Sequence, residues 1–354
     1  WQVSASNMRD LCNSNVEWVN ESERRIAESH DRVEQIVGQL LNASDECKAF
    51  CVREFSLGRE DFRKASELTE HARRVVSYLI GIAFGRWDAR IACGNHFEHL
   101  IPDPLEPYQA CSPGLLTDRS GLPVQETPND YPLSVDADGI LVDDSEIDDD
   151  IIQSIGRVIE AIWPKHADAR ERELCELLQV RRLRDYIRKP NKGGFWDDHI
   201  RQYTKKPRKA PIYWLLQSSR KNYALWLYYH RLDKDMLFKA LLNYVEPKIQ
   251  REDNRLGELR SQKSSLAETG SGAKKHDRDI EKHEDLLTEL RDFEEKLRKV
   301  AELHLEPDLN DGVVLNIAPL HELVPWKEDG SELLDGKYEW SSIGKQLREK
   351  GMVK

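Results

Sequence analysis

Apolar residues recur at helical spacing along much of the chain, and they predict a mainly helical fold. Between Ser66 and Phe84 they form a band that is typical of one buried helix face. A further helix is predicted directly after Asp148–Asp150, because acidic residues at a helix N-terminus interact favourably with the helix dipole. Arg170–Arg188 also has a helical pattern, with many basic residues.

Shorter runs of apolar and aromatic residues predict a small antiparallel sheet. Ile212–Leu216 and Tyr223–His230 have the residue types of β-strands, and Ser218–Asn222 between them predicts a hairpin turn. Gly139–Val142 predicts another short extended segment. Lys205–Pro211 is basic and flanked by proline, so we expect a loop there.

Heptad-like spacing predicts a long antiparallel helical hairpin. One arm runs from Leu242 to Leu266, a glycine-rich segment follows at 268–275, and the second arm resumes from Leu286 to Val300. The predicted fold class is therefore α+β, mainly helical, with a small antiparallel sheet and a long antiparallel helical hairpin. The sequence contains no dinucleotide-binding glycine fingerprint, so we expect no Rossmann core in these residues.

The length of 354 residues is typical of two or three domains. Seven of the 15 prolines lie between Pro102 and Pro132, which is incompatible with a regular helix or a central strand there. We predict a helical linker or bundle at 1–94, a proline-rich and acidic irregular segment at 95–150, a basic aromatic recognition region at 151–241, the helical hairpin at 242–304 and a C-terminal closing segment at 305–354.

The composition excludes an integral membrane protein. Charged residues make up 33% of the chain, and the mean hydropathy is −0.68. The longest apolar stretch, near Val75–Phe84, is about half of a membrane-spanning helix. Six cysteines without the spacing of a small disulfide-rich domain indicate reduced thiols, so we expect a cytoplasmic protein. Because the chain begins with Trp1, we expect it to be part of a longer polypeptide.

The basic residues are concentrated in one stretch. The net charge is −11, but Arg181–Lys221 contains 13 basic and three acidic residues, so this stretch carries +10 and the remainder −21. A local basic strip on an acidic protein is typical of contact with a nucleic-acid backbone. The plainer interpretation is a solvated basic face, neutralised by the eight acidic residues of Asp136–Asp150. The predicted DNA-binding residues are Arg181, Arg182, Arg184, Lys189, Lys192, Arg201, Lys205, Lys206, Arg208, Lys209, Arg220 and Lys221.

Aromatic residues are interleaved with these basic residues. They can stack on unpaired bases or wedge beside an extruded base. Packing in the core of a half-buried sheet is the interpretation that we favour for Tyr213, Trp214, Trp226 and Tyr228. The lysines and arginines of the flanking loops are then the better candidates for DNA contacts.

Metal and phosphate motifs are weaker. Cys93, His96 and His99 have the spacing of metal ligands, but they do not make a four-ligand site alone. The acidic run could bind a hard cation, although no ligand loop of defined length supports such a site. Helix capping is the simpler role for its last residues. The glycine-rich segment at 269–275 lacks the spacing of a phosphate-binding loop. We therefore predict no catalytic residue and no metal ligand.

Four segments together resemble the C-terminal half of large N6-adenine DNA methyltransferases of phage-defence systems, namely the BREX PglX-like, DISARM-type and type IIG restriction-modification enzymes. The resemblance covers roughly residues 15–350. The segments that carry it are Ser77–Asp88, Phe195–Leu215, Tyr228–Asp235 and Leu305–Asn316.

The resemblance implies a DNA target-recognition and clamp module that does not catalyse methylation by itself. The parent enzymes bind S-adenosylmethionine in an upstream methyltransferase domain, so no cofactor is expected in this segment. The implied partners are double-stranded DNA, the upstream domain and other defence-system subunits, with no membrane. An alternative is a protein-interaction scaffold that recruits those subunits through the hairpin. A metal-dependent nuclease that uses the acidic run is a third hypothesis.

Overall fold

The computed structural model describes residues 68–93, 131–135, 138–189, 192–205, 208–209, 211–264, 271–305 and 313–325, together with single residues at 21, 24, 25, 28 and 127. This part of the chain is mainly helical and contains a small open three-stranded antiparallel sheet, as predicted. Both sheets that the described residues form are antiparallel, so neither is the parallel sheet of a Rossmann core.

The elements follow one another in chain order. The helices are α1 (Leu68–Ala83), α2 (Ala89–Ala92), α3 (Ile151–Ile162), α4 (Ala167–Leu178), α5 (Leu183–Arg188), α6 (Phe195–Gln202), α7 (Met236–Lys239), α8 (Glu246–Ser264), α9 (Ser271–Ala301) and α10 (Val313–Ile317). The strands are β1 (Ile140–Val142), β2 (Thr204–Lys205), β3 (Arg208–Lys209), β4 (Tyr213–Gln217) and β5 (Ala224–Tyr228). Short 3₁₀ helices form at Tyr229–Arg231 and Ala318–Leu320, and a π-helical segment at Ala240–Val245 joins α7 to α8.

The three-stranded sheet lies at the centre of the core, in the order β1-β5-β4. Every residue of these strands is buried, so both faces are covered. Phe84, which follows α1, stacks on Tyr213 with ring centroids 5.0 Å apart. On α9, Phe293 meets the Tyr223 ring edge-to-face at 5.8 Å. Helices therefore bury this sheet, and the predicted strand pair and its turn are confirmed.

Capping explains where α3 begins. Asp150 precedes the helix in an extended conformation, and its carboxylate accepts the backbone N–H of Gln153 at 3.2 Å. This is the N-cap arrangement that satisfies one of the unpaired donors of the first turn. The predicted capping role of the acidic run is therefore confirmed at this residue.

Two local predictions need correction. Arg170–Arg188 is not one helix, because α4 ends at Leu178 and the left-handed backbone of the next residue, Gln179 (φ 58°, ψ 42°), stops it before α5 begins. Lys205–Pro211 is not only a loop, because β2 and β3 pair within it, with Lys205 opposite Arg208. The break between α4 and α5 occurs at Gln179 without a glycine, so composition gave little indication of it.

The long helical hairpin is present, but its second helix begins at Ser271, within the glycine-rich segment that was predicted as the turn. Ion pairs between the two helices define their antiparallel register. Arg298 of α9 pairs with Glu246 at the start of α8, Arg291 with Asp253, and Arg260 with Glu284. The partners move in opposite directions along the two helices, as an antiparallel pair requires. The second half of α9 packs into the core through Leu290, Phe293 and Leu297, which are buried.

Pro247 accounts for the irregular start of α8. Proline lacks a backbone N–H, and its ring clashes with the carbonyl four residues earlier in a regular α-helix. The π-helical segment Ala240–Val245 widens the helix directly before this proline. The helix therefore continues from α7 to α8 despite the proline.

Much of 1–67 and 95–130, and all of 326–354, lie outside the described residues. The five predicted segment boundaries therefore remain predictions. Within the residues that are described, no helix is both long enough and apolar enough to cross a bilayer.

Candidate nucleic-acid interface

The turn between β4 and β5 presents two of the predicted cations. Arg220 and Lys221 are exposed at its tip. Lys221 has a left-handed backbone (φ 67°), and its N–H donates to the Ser218 carbonyl at 2.9 Å. The flanking strands are fully buried, so these charges stand at the end of a rigid element.

A second loop lies beside this turn and carries two more cations. The side chain of Gln217, the last residue of β4, donates to the Arg188 carbonyl at 3.3 Å. Lys189 follows directly, and the chain packs so closely here that a Cβ on Gly194 would lie 1.8 Å from the Lys189 carbonyl oxygen. Lys189 and Lys192 are both exposed. The end of β4 therefore gathers lysines from two loops, and we call Lys189, Lys192, Arg220 and Lys221 the turn-end group.

Further basic residues lie toward the other end of β4. The β2–β3 hairpin joins α6 to β4, and its backbone pairs Thr204 with Lys209 and Lys205 with Arg208. Lys206 lies outside the described residues. A five-residue strand such as β4 spans roughly 13 Å between its end residues. The turn-end group thus lies beside one end of β4, and the backbone of the β2–β3 hairpin precedes the other end.

Arg184 occupies a different environment. Its guanidinium binds both carboxylate oxygens of Asp150, at 2.9 and 2.6 Å, and also contacts Asp143. Both carboxylates are almost completely buried, and the Arg184 side chain is 15% exposed. The adjacent Arg188 also pairs with Asp143. Arg184 thus connects α5 to the acidic run, and a guanidinium that is buried and paired in this way is poorly placed to contact DNA.

Three remaining candidates are exposed, and two of them form local ion pairs. Arg182 pairs with Asp185 at 3.0 Å, and Arg201 pairs with Asp197 at 2.8 Å. Arg181 is exposed. In the part of the chain that the structure describes, the candidates whose side chains are described and form no ion pair are Arg181, Lys189, Lys192 and Lys221.

The aromatic residues of the basic region form the core. Tyr213, Trp214, Trp226 and Tyr228 are each less than 10% exposed, so their rings do not face solvent where a base could stack. The prediction that they are core residues is confirmed, but the sheet is covered on both faces rather than half-buried.

The acidic run forms ion pairs that connect elements of the fold. Asp144 accepts bonds from Lys248 at 3.1 Å and from Arg251 at 2.6 Å, both on α8. Its carboxylate is 3% exposed. No cluster of three metal-ligating side chains occurs among the described residues. His96 and His99 lie outside them, while the Cys93 thiol is 3.3 Å from the Ala161 carbonyl oxygen.

Sequence reasoning missed a buried polar cluster next to the β2–β3 hairpin. His199 on α6 accepts the backbone N–H groups of Ile212 and Tyr213 at its Nε2 atom, each at 2.9 Å. Arg86 donates to the Tyr203 hydroxyl at 2.6 Å. Burial, with a smaller effect of Arg86, lowers the pKa of His199 to about 3. The neutral ring thus fixes the start of β4, and no local sequence signal distinguishes this histidine.

A cleft of about 420 Å³ opens between α1 and α6. Arg73 spans it and pairs with Asp198 at 3.1 Å, and the Tyr186 hydroxyl donates to the same carboxylate at 2.9 Å. Burial raises the pKa of Asp198. The charges that line this cleft already have partners within the fold.

Two partial matches relate the chain to adenine-specific methyltransferases, while no family model matches it. The first match is the adenine-specific methyltransferase BrxX of Escherichia coli O9:H4 (strain HS). It is 28% identical over 208 residues, which are 53% of this chain and 16% of that protein. The second is the adenine-specific methyltransferase PglX of Lacticaseibacillus casei (strain Zhang). It is 31% identical over 137 residues, which are 38% of this chain and 11% of that protein.

These similarities support a relationship to the BREX-type methyltransferases and a methyltransferase-related role in phage defence. The matched residues span about a sixth or less of the length of either relative. The activity of the whole relatives is therefore not assigned to this chain by the matches alone.

Proposed function

We propose that this chain is a DNA target-recognition and clamp module of an S-adenosylmethionine-dependent N6-adenine DNA methyltransferase, and that it does not catalyse methylation by itself. The observation that carries the proposal is the turn-end group, whose four exposed cations lie beside one end of a buried strand. A duplex backbone is a regular array of phosphates, and rigidly held cations are suited to bind it.

The division of labour follows from the chemistry of the substrate. An adenine inside a duplex must leave the base stack before its amino group can be methylated. A catalytic domain holds the extruded base, while another surface must hold the flanking backbone. We assign S-adenosylmethionine to an upstream methyltransferase domain, as the resemblance implies.

The acidic remainder contributes to orientation. With the Arg181–Lys221 stretch at +10, the rest of the chain carries −21 and repels a polyanion. DNA then approaches the basic surface alone, which favours one docking direction.

Duplex binding by the 354-residue chain tests the proposal, measured by fluorescence anisotropy from 50 to 200 mM salt. The variant K189Q/K192Q/K221Q removes three exposed charges from the turn end. We expect about tenfold weaker binding at 100 mM salt and a salt slope that is lower by about 2 to 3, because each lost phosphate contact removes about 0.9 from the slope.

The matched control is K234Q/K282Q/K299Q, which makes the same change in net charge at exposed lysines elsewhere. It should keep the salt slope of the wild type. Salt-independent binding by the wild type, or equal losses in the two variants, would contradict the proposal.

The hairpin scaffold remains a second candidate because of one surface feature. Leu242 and Leu303 are 54% and 39% exposed, and they are the exposed large hydrophobic residues among those described. Both lie at the base of the hairpin, where the ring centroids of Phe238 and His304 are 5.2 Å apart. A scaffold predicts that L242D/L303D abolishes assembly with other defence-system subunits and leaves DNA affinity unchanged. Unchanged assembly would reject it.

A further inference from the structure

A buried glutamate on the hairpin holds the turn that presents Arg220 and Lys221. Glu289 is on α9, far along the chain from the turn between β4 and β5. One carboxylate oxygen accepts the Ser218 hydroxyl and the backbone N–H groups of Arg220 (2.8 Å) and Asn222 (3.3 Å). The other accepts the side-chain amide of Asn222 at 2.6 Å. One carboxylate therefore binds four donors of a five-residue turn.

The hydrogen bonds that offset the cost of burying the Glu289 carboxylate depend on the conformation of the turn. Glu289 is 4% exposed, and it forms no ion pair with a described residue. A buried charge is costly unless it is paired or hydrogen-bonded. Here the donors come from the turn, so they are available together only while Ser218–Asn222 keeps this conformation.

The backbone of Lys221 needs such support. Its φ of 67° lies in the left-handed region, which is unfavourable for a residue with a Cβ. Residues in this region persist when the surrounding structure holds them there. The N–H groups on both sides of Lys221 bind Glu289, and the Tyr223 N–H binds the Ser218 hydroxyl oxygen at 3.0 Å.

A second residue of α9 contacts the same turn. Asp285 lies one helical turn before Glu289 and pairs with the Arg220 guanidinium at 2.9 Å. Both side chains are about 60% exposed, so water weakens this pair. A phosphate can replace the Asp285 carboxylate at low cost, whereas the buried Glu289 bonds remain in place.

We propose that Glu289 is a positioning residue for DNA binding. It fixes the conformation of the turn that carries Arg220 and Lys221, and so it connects the helical hairpin to the DNA-binding surface. This inference rests on the proposed function. Electrostatics alone predicts the opposite effect of removing Glu289: loss of a negative charge near the DNA surface should strengthen binding. Positioning predicts that binding weakens.

Glu289→Ala in the 354-residue chain therefore gives a result whose sign is informative. We expect about five- to tenfold weaker duplex binding at 100 mM salt and a salt slope lower by up to about 1.8, because two phosphate contacts are lost. The control Glu295→Ala makes the same charge change at an exposed residue of α9 and should bind as tightly as wild type or slightly more tightly. Tighter or unchanged binding by Glu289→Ala would overturn the inference.

Asn222→Ala covers the case in which Glu289→Ala does not fold. It removes the 2.6 Å bond to Glu289 but leaves every charge in place. We expect weaker binding with a lower salt slope, while an unchanged slope would count against positioning. If the wild type does not bind DNA, or K189Q/K192Q/K221Q is unaffected, the proposed function fails. If that triple variant weakens binding and the Glu289 and Asn222 variants do not, positioning alone fails.

Discussion

Arg184 and Lys189 lie five positions apart in the same basic stretch, yet the fold uses them in different ways. Arg184 is enclosed between Asp143 and Asp150, with its side chain 15% exposed. Lys189 is exposed beside the β4–β5 turn and forms no ion pair with a described residue. The basic stretch thus contains two kinds of residue. Buried ones such as Arg184 form ion pairs that stabilise the fold, and exposed ones such as Lys189 are accessible to a ligand.

The two kinds of basic residue differ in whether a buried carboxylate lies beside the cation. Three carboxylates of the acidic run pair with basic side chains of two helices. Asp143 and Asp150 bind Arg184 of α5, and Asp144 binds Arg251 of α8. In a poorly solvated position each charge needs its partner, because an unpaired buried charge is costly. At the turn end water solvates the lysines, and no such requirement exists.

The largest effect should come from breaking a buried ion pair. Asp150→Ala removes the N-cap of α3 and leaves the Arg184 guanidinium with one carboxylate fewer. Loss of one partner of a buried pair costs about 3–5 kcal/mol. Urea unfolding should show a loss of this size, and the exposed control Asp148→Ala should change stability by less than about 1 kcal/mol. Equal stability of the two variants would remove the distinction between the two kinds of residue.

A smaller effect should come from a buried group that avoids charge altogether. His199 has a pKa lowered to about 3 in the folded protein, against 6.5 for the ordinary side chain. The unfolded chain therefore binds a proton between these values and the folded chain does not, so stability falls as pH drops below 6.5. The loss is about 1.4 kcal/mol per pH unit, or about 2 kcal/mol at pH 5.

His199→Gln keeps a side-chain acceptor for the N–H groups of Ile212 and Tyr213 and removes the titration. Urea unfolding at pH 7.5 and pH 5 should show a smaller loss for this variant than for wild type, by about 2 kcal/mol. The same pH dependence in both proteins would show that His199 does not remain neutral when buried.

The smallest effect is expected for an exposed pair in the same basic stretch. Arg182 and Asp185 pair at 3.0 Å, with side chains 72% and 38% exposed. Because water screens such pairs, Arg182→Ala should cost less than about 1 kcal/mol in urea unfolding. A loss comparable to that of Asp150→Ala would mean that exposure does not separate the two kinds of residue.

The sequence by itself determined the elements whose signals are local. Strands β4 and β5, the turn between them, the helical hairpin and the cap of α3 each follow from residue spacing or from one residue beside a helix end. The core role of the sheet aromatics was also predicted, because such residues usually pack on a covered face of a sheet, but the burial of both faces followed only from the tertiary structure.

Only the tertiary structure decided which cations are available and what holds them. Arg184 meets Asp150 across 34 positions of sequence, and Glu289 meets Ser218 across 71. A sequence pattern records charge and spacing along the chain, whereas the cost of burying a charge depends on which groups surround it after folding. That dependence separates Arg184 from Lys189, and it gives Glu289 a place beside the turn that no local motif marks.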